Sequence, residues 1–439
     1  MNNLIVQLSK IILIILLALF TLEIFASMRY KKPKKLKMEF LRQRILFFLI
    51  LLLGYGVLFT QTKDENYLIL FLFEVLFFIV FIKIYDLFYE KANKILINTI
   101  CMLLVIGFIM QPRLNFAKSI KHIVFCFVAV LLSALVPFAM QKVQDLKKFK
   151  WIYGGVGILL LGTVAVLGAV SYGAKLSISL GPISFQPSEF VKITFVFFVA
   201  SMLYQDTSFK NILLTGMIAA LHVLILVISN DLGGAFIYFF TFLIMLYVAT
   251  RKMGYMALGL FAGTGAALLA YQFFSHVRVR VLAWKDPFAV IDGAGYQISQ
   301  SLFAIGTGGW FGLGLFEGMP NNIPVASEDF IFSAISEELG GIFAICLIFL
   351  CIGCFLLMLN IAFKIKNQFH KLIALGLGSV YGVQVFINIG GVIKMIPSTG
   401  VTLPFVSYGG SSLLSSFIMI AIIQGLYLLS TKKKGEQNE

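Results

Sequence analysis

Charged side chains are scarce in this sequence: they make up 13% of its 439 residues, whereas hydrophobic residues make up 60%. A soluble protein of this length needs far more charge on its surface. Lys and Arg outnumber Asp and Glu by 35 to 20, an excess that in other proteins can indicate nucleic-acid binding. Here the basic residues form short clusters between long apolar runs, which is the pattern of membrane proteins. Composition therefore predicts a membrane protein and argues against a nucleic-acid partner.

Cysteine and histidine are also few, with five and four residues. The cysteines lie inside apolar runs and none has a histidine at metal-ligand spacing. We therefore expect small buried hydrophobic residues, no disulfide framework and no metal site. The N-terminal apolar run lacks a cleavage site and is followed by the basic stretch KKPKKLK at 31–37, which predicts a retained helix rather than a signal peptide.

Long apolar runs are the main feature that is present. About 20 apolar residues span a bilayer as a helix, and thirteen runs approach that length. They lie at 5–26, 45–59, 68–88, 95–110, 123–140, 151–172, 190–204, 212–229, 235–250, 255–274, 330–359, 372–393 and 413–430. The sequence therefore predicts an all-α fold, a polytopic integral membrane helical bundle of about thirteen transmembrane helices.

Loop charge predicts the orientation of these helices. Basic clusters begin at 29–44 and recur at every second loop, at 91–94, 142–150, 210, 251–252, 364–371 and 432–434. Lys and Arg gather on the cytoplasmic side of a membrane. This parity places the N-terminus outside and the C-terminus in the cytoplasm. The basic segment 111–122 falls on the outer side and is an exception to the rule.

The segments with unusual chemistry share the outer side in this topology. They are 171–189, 230–233, 275–329 and 394–412. Polar residues beside lipid are costly and mark function. The Pro- and Gly-rich backbone of 392–412 is tolerated at membrane depth only inside protein or along a cavity. We therefore predict a site on the outer face, with most of its residues in 278–340.

The first motif in these segments reads QPSEFVK, at 186–192. Pro187 suits the first turn of a helix, and Glu189 favours the positive end of the helix dipole. Glu189 and Lys192 are three residues apart, so they can pair on one helix face. The pair is either a structural ion pair at the membrane border or part of a binding site. Asp231, in NDLGG, is expected to cap a helix at a turn.

The second group of motifs covers 278–314. Arg278 and Arg280 lie on the outer side, where a guanidinium could hold phosphate oxygens or contact lipid head groups. Gln297 and Gln300 follow at near-helical spacing. The stretch GTGGWFGLG at 306–314 lacks the Lys-Ser/Thr ending of a phosphate-binding loop, so we discount nucleotide binding.

Acidic residues gather in SEDFIFSAISEELG, at 327–340. Asp329 lies at the mouth of a predicted helix, where a capping role is the alternative to a chemical one. Glu337 and Glu338 lie more than two turns further on, inside the apolar span. Carboxylates at that depth are costly unless they are paired or face a polar cavity. A buried structural pair with Arg or Lys is therefore the alternative to a functional role for both.

Together these motifs resemble the SEDS family (shape, elongation, division and sporulation), which includes FtsW, RodA and SpoVE. QPSE with Lys192, GYQISQS, the glycine-rich stretch, DFIF with EEL, and TGVTLPFVSYGGSS at 399–412 follow the family's order. The family's core has ten helices. The resemblance implies a catalytic membrane core at 95–430 with a large extracytoplasmic loop at 275–329. A three-helix N-terminal extension at 1–94 precedes it, and a cytoplasmic tail at 431–439 follows.

The resemblance also implies a function. SEDS proteins are glycosyltransferases of the bacterial cytoplasmic membrane that polymerise lipid II into peptidoglycan, together with a class B penicillin-binding protein. By resemblance Asp329 is the catalytic residue, a general base for the acceptor sugar hydroxyl. The implied substrate-binding residues are Arg278, Arg280, Lys192, Glu189, Gln297, Gln300, Ser407 and Tyr408. A divalent cation, Mg²⁺ or Mn²⁺, is a candidate cofactor, although the sequence shows no ligand cage for it.

The chain departs from the family pattern directly before Asp329. Val325, Ala326, Ser327 and Glu328 stand where the family usually has Glu-x-His-Thr. A second carboxylate beside Asp329 raises its pKa through like-charge repulsion. Glu328 is therefore a further candidate for a part in catalysis.

Two other functions stay open at this point. A lipid II flippase needs a polar path open to each face in turn, often in repeated halves. No internal repeat is visible, and the polar residues crowd one face. A non-catalytic scaffold for a penicillin-binding protein fits the altered residues before Asp329, whereas the presence of Asp329 itself argues against it. The sequence does not decide between elongation, division and sporulation.

Overall fold

A computed structural model of the chain describes residues 2–29, 33–142, 145–171, 174–180 and 183–435. Its α-helices are α1 (Asn2–Ser27), α2 (Pro33–Thr62), α3 (Asn66–Phe88), α4 (Lys94–Leu114), α5 (Phe116–Ala134), α6 (Val136–Lys142), α7 (Lys150–Leu167), α8 (Pro187–Leu203), α9 (Phe209–Ile228), α10 (Leu232–Thr250), α11 (Met253–Phe273), α12 (Ser275–Lys285), α13 (Tyr296–Gly308), α14 (Ile331–Lys364), α15 (Gln368–Val392) and α16 (Gly410–Gly435). The strands are β1 (Ala169–Ser171), β2 (Ala174–Leu180) and β3 (Ile183–Phe185).

The predicted polytopic helical bundle is confirmed. Within the described ranges, twelve helical segments are long and apolar enough to cross a membrane, and each overlaps one of the predicted spans over most of its length. The remaining predicted span is α8, which has 17 residues and is almost entirely buried. That length is at the lower limit for a transmembrane helix, and burial inside the bundle relieves α8 of contact with lipid.

Several boundaries differ from the predicted ones. α2 begins at Pro33 rather than at residue 45, so much of the basic segment 29–44 is helical. α7 ends at Leu167 rather than at residue 172, because Gly168 is extended and leads the chain into β1. Residue 172 lies outside the described ranges. At the C-terminal end, α16 runs on to Gly435, and residues 436–439 of the predicted tail lie outside the description.

A small sheet is an addition to the all-α prediction. β2 pairs antiparallel with both β1 and β3. Its sequence, AKLSISL, alternates polar and apolar residues with the period of a strand. The backbone amide of Gln186, directly after β3, donates to Ser411 Oγ at 3.1 Å. The sheet therefore leads straight into the QPSE motif and ties it to the start of α16.

The three N-terminal helices cover one side of the bundle. α1 packs on α14, α2 packs on α4, and α3 packs on α5. As a result every residue of α4 from Ile95 to Pro112 is buried. At one end, Arg44 of α2 and Lys94 of α4 both pair with Asp86 of α3, at 3.0 and 2.9 Å. Apolar burial and these ion pairs join the N-terminal unit (2–88) to the rest of the protein.

α14 is broken at Gly340, whose φ of 90° and ψ of 168° are not helical. A break within a helix frees carbonyl and amide groups that are costly to leave unsatisfied at membrane depth. The freed carbonyls are met by the glycine-rich loop, defined here as residues 309–314. The amide of Leu313 donates to the Glu337 carbonyl at 3.0 Å, and that of Gly314 donates to the Glu338 carbonyl at 2.8 Å.

The amides beyond the break find partners in the same loop. Gly341 donates to the carbonyl of Gly309 at 2.8 Å, and Ile342 donates to that of Trp310 at 3.1 Å. These are the two amides that would reach back to residues 337 and 338 in an unbroken helix. The glycine-rich loop therefore replaces two helical hydrogen bonds with four of its own.

The side chains of Glu337 and Glu338 also hold this region. Glu338 Oε1 accepts from Arg113 at 2.7 Å and from the amide of Phe316 at 3.1 Å. Glu337 Oε1 accepts from the amide of Met319 at 3.0 Å. Both carboxyls thus bind protein groups on the loop side of α14, and the structure places Glu338 in the buried ion pair that was the alternative to a functional role.

Arg113→Met is expected to lower the free energy of unfolding by about 3–5 kcal/mol, because it leaves the buried Glu338 carboxylate without its cation. The double variant Arg113→Met/Glu338→Gln should regain much of that loss, because a neutral amide still accepts from Phe316. Thermal unfolding of the detergent-purified chain measures both. An equal loss in the single and double variants would show that the ion pair is not the cause.

Candidate active site

A cavity of about 870 Å³ lies among α5, α8, α10, α12, α13, α16 and the segment 398–412. Its charged lining residues are Lys121, Glu189, Lys192, Asp231, Arg280, Glu328 and Asp329. Four carboxylates therefore face three cations in one partly open cavity. Charges so confined and partly shielded from water interact more strongly than charges on an open surface.

Asp329 lies at this cavity, two residues before α14. Asn388 of α15 donates to the backbone carbonyls of Asp329 and Val401, at 2.8 and 2.6 Å, and so joins the two segments. Gly400 faces the carboxyl: with a φ of 77°, it would place a Cβ only 3.4 Å from Asp329 Oδ2. The carboxyl is half-buried, with protein on most sides and the cavity on the other.

These surroundings raise the pKa of the Asp329 carboxyl to about 7. Burial is the largest cause, the negative charge of Glu328 adds to it, and the positive charge of Arg280 opposes it. A general base works best when its pKa lies near the working pH. Asp329 therefore has both the access and the basicity to take up a proton.

Glu328 is held beside Asp329 by a separate set of contacts. Its carboxylate pairs with Lys118 at 2.8 Å, and the Lys118 ammonium lies 5.4 Å from the centre of the Tyr408 ring. Ser407 Oγ donates to the backbone carbonyl of Glu328 and accepts from the amide of Leu403 at 2.9 Å. Tyr408 lines the cavity, whereas Ser407 is buried behind the lining and shapes the backbone.

Glu189 and Lys192 form the ion pair that their spacing predicts, with an Nζ–Oε2 distance of 2.6 Å. Lys192 also donates to Gln384 Oε1 at 3.0 Å, and Ser415 Oγ donates to Glu189 Oε2 at 2.9 Å. The pair therefore joins α8 to α15 and α16 at the wall of the cavity. Its ammonium is already neutralised by a carboxylate of the same helix.

Arg280 lies under the influence of two carboxylates, because the charges of both Asp231 and Asp329 act on it. Its Nη1 donates to the carbonyl of Ser398 at 2.9 Å, which fixes the guanidinium at the cavity wall. Asp231 caps α10 by accepting from the amide of Gly234 at 2.7 Å. Burial is the main cause that raises the pKa of Asp231. The expected cap is therefore also part of the charged lining.

Of the other candidate residues, some lie on the helix face that lines the cavity and others lie on a different face of the same helix. Arg278 is two positions from Arg280 on α12, about 200° around the helix, and its guanidinium donates to the carbonyl of Gln272 at 2.6 Å. Gln297 of α13 lines the cavity, whereas Gln300 does not. The candidates brought together are Asp329, Glu328, Arg280, Lys192, Glu189, Gln297 and Tyr408. Those left out of the lining are Arg278, Gln300, Ser407, Glu337 and Glu338.

Sequence reasoning missed three charged residues of the site. The sequence predicted only a capping role for Asp231. The two glycines that follow it at 233 and 234 could have indicated a site, because they allow close approach of the backbone. Lys118 and Lys121 belong to 111–122, the basic segment that breaks the loop-charge rule. Lys121 lines the cavity and Lys118 pairs with Glu328. The basic residues that depart from the predicted loop-charge pattern therefore include two lysines at the site.

The donor set gives a divalent cation no ready ligand cage. Among the residues that the structure describes, no group of three His, Cys, Asp or Glu side chains could hold a metal ion. Mg²⁺ can bind through one or two carboxylates together with substrate phosphates. A cation cofactor would therefore need ligands from the substrate, and no reaction step is assigned to it.

Comparison with known proteins gives the chain its relatives. A family model described as cell cycle protein, of the FtsW/RodA/SpoVE type, matches residues 93–432. A Mycobacterium bovis protein named peptidoglycan glycosyltransferase RodA is 36% identical over 363 residues, covering 76% of this chain and 77% of the relative. Stage V sporulation protein E of Bacillus subtilis is 34% identical over 281 residues, covering 61% of this chain and 75% of the relative.

A solved structure shares the fold. A chain from a peptidoglycan synthase complex, described as coordinating polymerization and crosslinking, superposes with a TM-score of 0.65 at 24% identity. The match covers 76% of this chain and 97% of the solved one. With the family model matching well over half of its length, the chain belongs to the FtsW/RodA/SpoVE family.

Proposed function

We propose that this chain is a peptidoglycan glycosyltransferase that polymerises lipid II at the outer face of a bacterial cytoplasmic membrane, with Asp329 as its general base. The carrying observation is the Asp329 carboxyl, which faces a charged cavity and has a pKa of about 7. The reaction class is supported by the names of its relatives, such as the mycobacterial peptidoglycan glycosyltransferase.

In the proposed reaction Asp329 accepts the proton of a hydroxyl group on the acceptor sugar. The hydroxyl oxygen forms a bond to the anomeric carbon of the donor sugar. The bond from that carbon to the pyrophosphate oxygen breaks, and its electron pair leaves with the polyprenyl pyrophosphate. Asp329 then releases its proton to water. One glycosidic bond is formed for each bond between an anomeric carbon and a pyrophosphate oxygen that breaks, the pyrophosphate itself stays intact, and no redox partner is needed.

The cations of the cavity suit the leaving group. Arg280 lies close enough to Asp329 for its charge to lower the pKa of that carboxyl, and guanidinium groups bind phosphate oxygens in a bidentate fork. We assign the pyrophosphate to Arg280, with Lys121 as a second cation of the lining. Lys192 is neutralised by Glu189, so we assign it to holding the wall. Arg278 is not part of the cavity lining, so we assign it no role.

The cavity also has an apolar wall. Phe125, Val128 and Ala129 of α5 and Leu414 of α16 line it, and Val128 is 46% exposed on the bundle surface. In a membrane that exposed surface would face lipid chains. The wall supports a substrate that combines a charged head with a polyprenyl tail, because the tail could stay in the bilayer while the head enters the cavity.

The position of α1 relative to the site supports a proposal for the orientation of the chain. Gln7 and Lys10 of α1 contact the glycine-rich loop, so the N-terminal end of α1 lies on the side of α14 that carries Asp329. We propose an outside N-terminus and a cytoplasmic C-terminus. We also propose a class B penicillin-binding protein as partner, supported by the similar fold of a chain from a peptidoglycan synthase complex.

Asp329→Asn is expected to reduce glycan polymerisation by about a hundredfold to ten-thousandfold, the range that a general base typically contributes. The amide keeps the size of the side chain but cannot accept the proton in the same way. Gel analysis of glycan strands formed from labelled lipid II by the purified chain, with a class B penicillin-binding protein, measures the effect.

The matched control is Asp292→Asn, an exposed aspartate of the same 275–329 segment that is not part of the cavity lining. It should polymerise at the native rate. Equal polymer from Asp329→Asn and the native chain would reduce Asp329 to a helix cap. No polymer from the native chain with any partner would favour a flippase or a scaffold.

The pH dependence of the reaction is expected to report on Asp329. The carboxyl must be ionised to accept a proton, so the rate should fall as the pH drops through about 7. Glu328→Gln removes a charge that raises this pKa, so the acid limb should move to lower pH. Rate profiles of both chains measure the shift, with the exposed Glu317→Gln as control. An unmoved limb in Glu328→Gln would contradict the assignment.

A further inference from the structure

The N-terminal unit lies outside the family match, which begins at residue 93, yet it touches the part of the chain that supports Asp329. Lys10 Nζ donates to the carbonyl of Gly312 at 2.8 Å. Gln7 Nε2 donates to the carbonyl of Leu313 at 3.1 Å. Both contacts join residues more than 300 positions apart in the sequence, and both fall on the glycine-rich loop.

The loop needs partners on two edges. One edge is bonded to the broken backbone of α14, through the amides of Leu313 and Gly314. The carbonyls of Gly312 and Leu313 belong to the other edge, and α1 supplies their donors. Gly314 lies so close to α1 that a Cβ on it would stand 2.4 Å from Val6. The loop is therefore enclosed between α14 and α1.

α1 also packs on α14 beyond the break. Ile24 of α1 fills the space beside Gly353, where a Cβ would lie 3.1 Å from it. Phe25 meets Phe349 edge-on, with ring centres 6.4 Å apart. α1 therefore contacts the second half of α14 directly and the first half through the loop.

The first half of α14 directly follows the segment that carries Asp329. Asp329 precedes it, and Ser333 within it is 2.6 Å from Ser301 of α13. α13 lines the cavity with Gln297 and then runs directly into the glycine-rich loop. A shift of the loop would therefore move both the helix behind the catalytic carboxyl and a wall of the cavity.

We propose that α1 is a splint for α14, meaning that it supports α14 on both sides of the break at Gly340. Lys10 and Gln7 are the positioning residues that hold the glycine-rich loop and, through it, Asp329. The effect of α1 on catalysis by Asp329 rests on the proposed function, whereas its support of the glycine-rich loop and α14 does not. The N-terminal unit would thus support the glycine-rich loop with residues that lie outside the matched family region, 93–432.

The test uses the full chain with Gln7→Leu/Lys10→Met, which removes both donors but keeps apolar bulk. Amide hydrogen exchange is followed by mass spectrometry. Segments 309–314 and 331–342 should exchange roughly tenfold faster, because local opening governs exchange of protected amides. Segments of α15 and α16 should be unchanged. Gln7→Leu/Lys10→Arg should restore much of the protection, because arginine still donates to Gly312.

The matched control is Lys83→Met, which removes an exposed lysine from α3 of the same unit. It should leave exchange at the loop unchanged. Unchanged exchange at 309–314 in the double variant would overturn the proposal that α1 supports the loop. Faster exchange across the whole chain would overturn it too, because it would show a general loss of stability.

Kinetics separate positioning from substrate binding. In the double variant kcat for polymerisation should fall about tenfold with little change in KM, since the reacting groups are misplaced while the binding cations are untouched. A local rise in exchange with native kcat would overturn the positioning role. If the native chain shows no polymerisation at all, the proposed function fails, and the exchange result still decides whether α1 is a splint.

Discussion

The break in α14 at Gly340 is the constraint on which the rest of the site depends. A helix interrupted within the bundle must find new partners for its backbone, because lipid offers none. The glycine-rich loop provides four hydrogen bonds, and its positive-φ glycines allow the close approach that these bonds need. The first half of α14 is thereby fixed as a separate short helix. Asp329 precedes this short helix, so the position of its carboxyl depends on the hydrogen bonds between the glycine-rich loop and the broken backbone of α14.

Charge balance inside the cavity explains how a carboxylate there can be a base. Four carboxylates face three cations, and most of them are engaged in pairs or hydrogen bonds. Glu189 and Glu328 have their own lysines. Asp329 shares the positive charge of Arg280 with Asp231, so burial and the neighbouring Glu328 dominate the pKa of the Asp329 carboxyl. The proposed proton acceptor and the proposed phosphate-binding cation thus lie close together in one cavity.

The sequence predicted the helices well, because apolar runs of bilayer length are a strong signal. It also predicted the Glu189–Lys192 pair, which depends only on local helical spacing. It could not place Glu338 against Arg113, since that pair joins residues 225 positions apart. Nor could it separate Arg280 from Arg278, because the face that each presents depends on packing. The contact between α1 and the loop is the least predictable, since no local pattern marks Lys10 as its donor.

In the proposed mechanism Asp329 acts on the substrate whereas Arg280 binds it. Equilibrium binding of the lipid-linked donor to the native chain, Asp329→Asn and Arg280→Gln separates the two roles. We expect near-native binding by Asp329→Asn. We expect binding roughly tenfold weaker or more for Arg280→Gln, in line with the loss of a charge-assisted hydrogen bond. Loss of donor binding in Asp329→Asn to the same extent as in Arg280→Gln would show that Asp329 is a binding residue and not the proton acceptor.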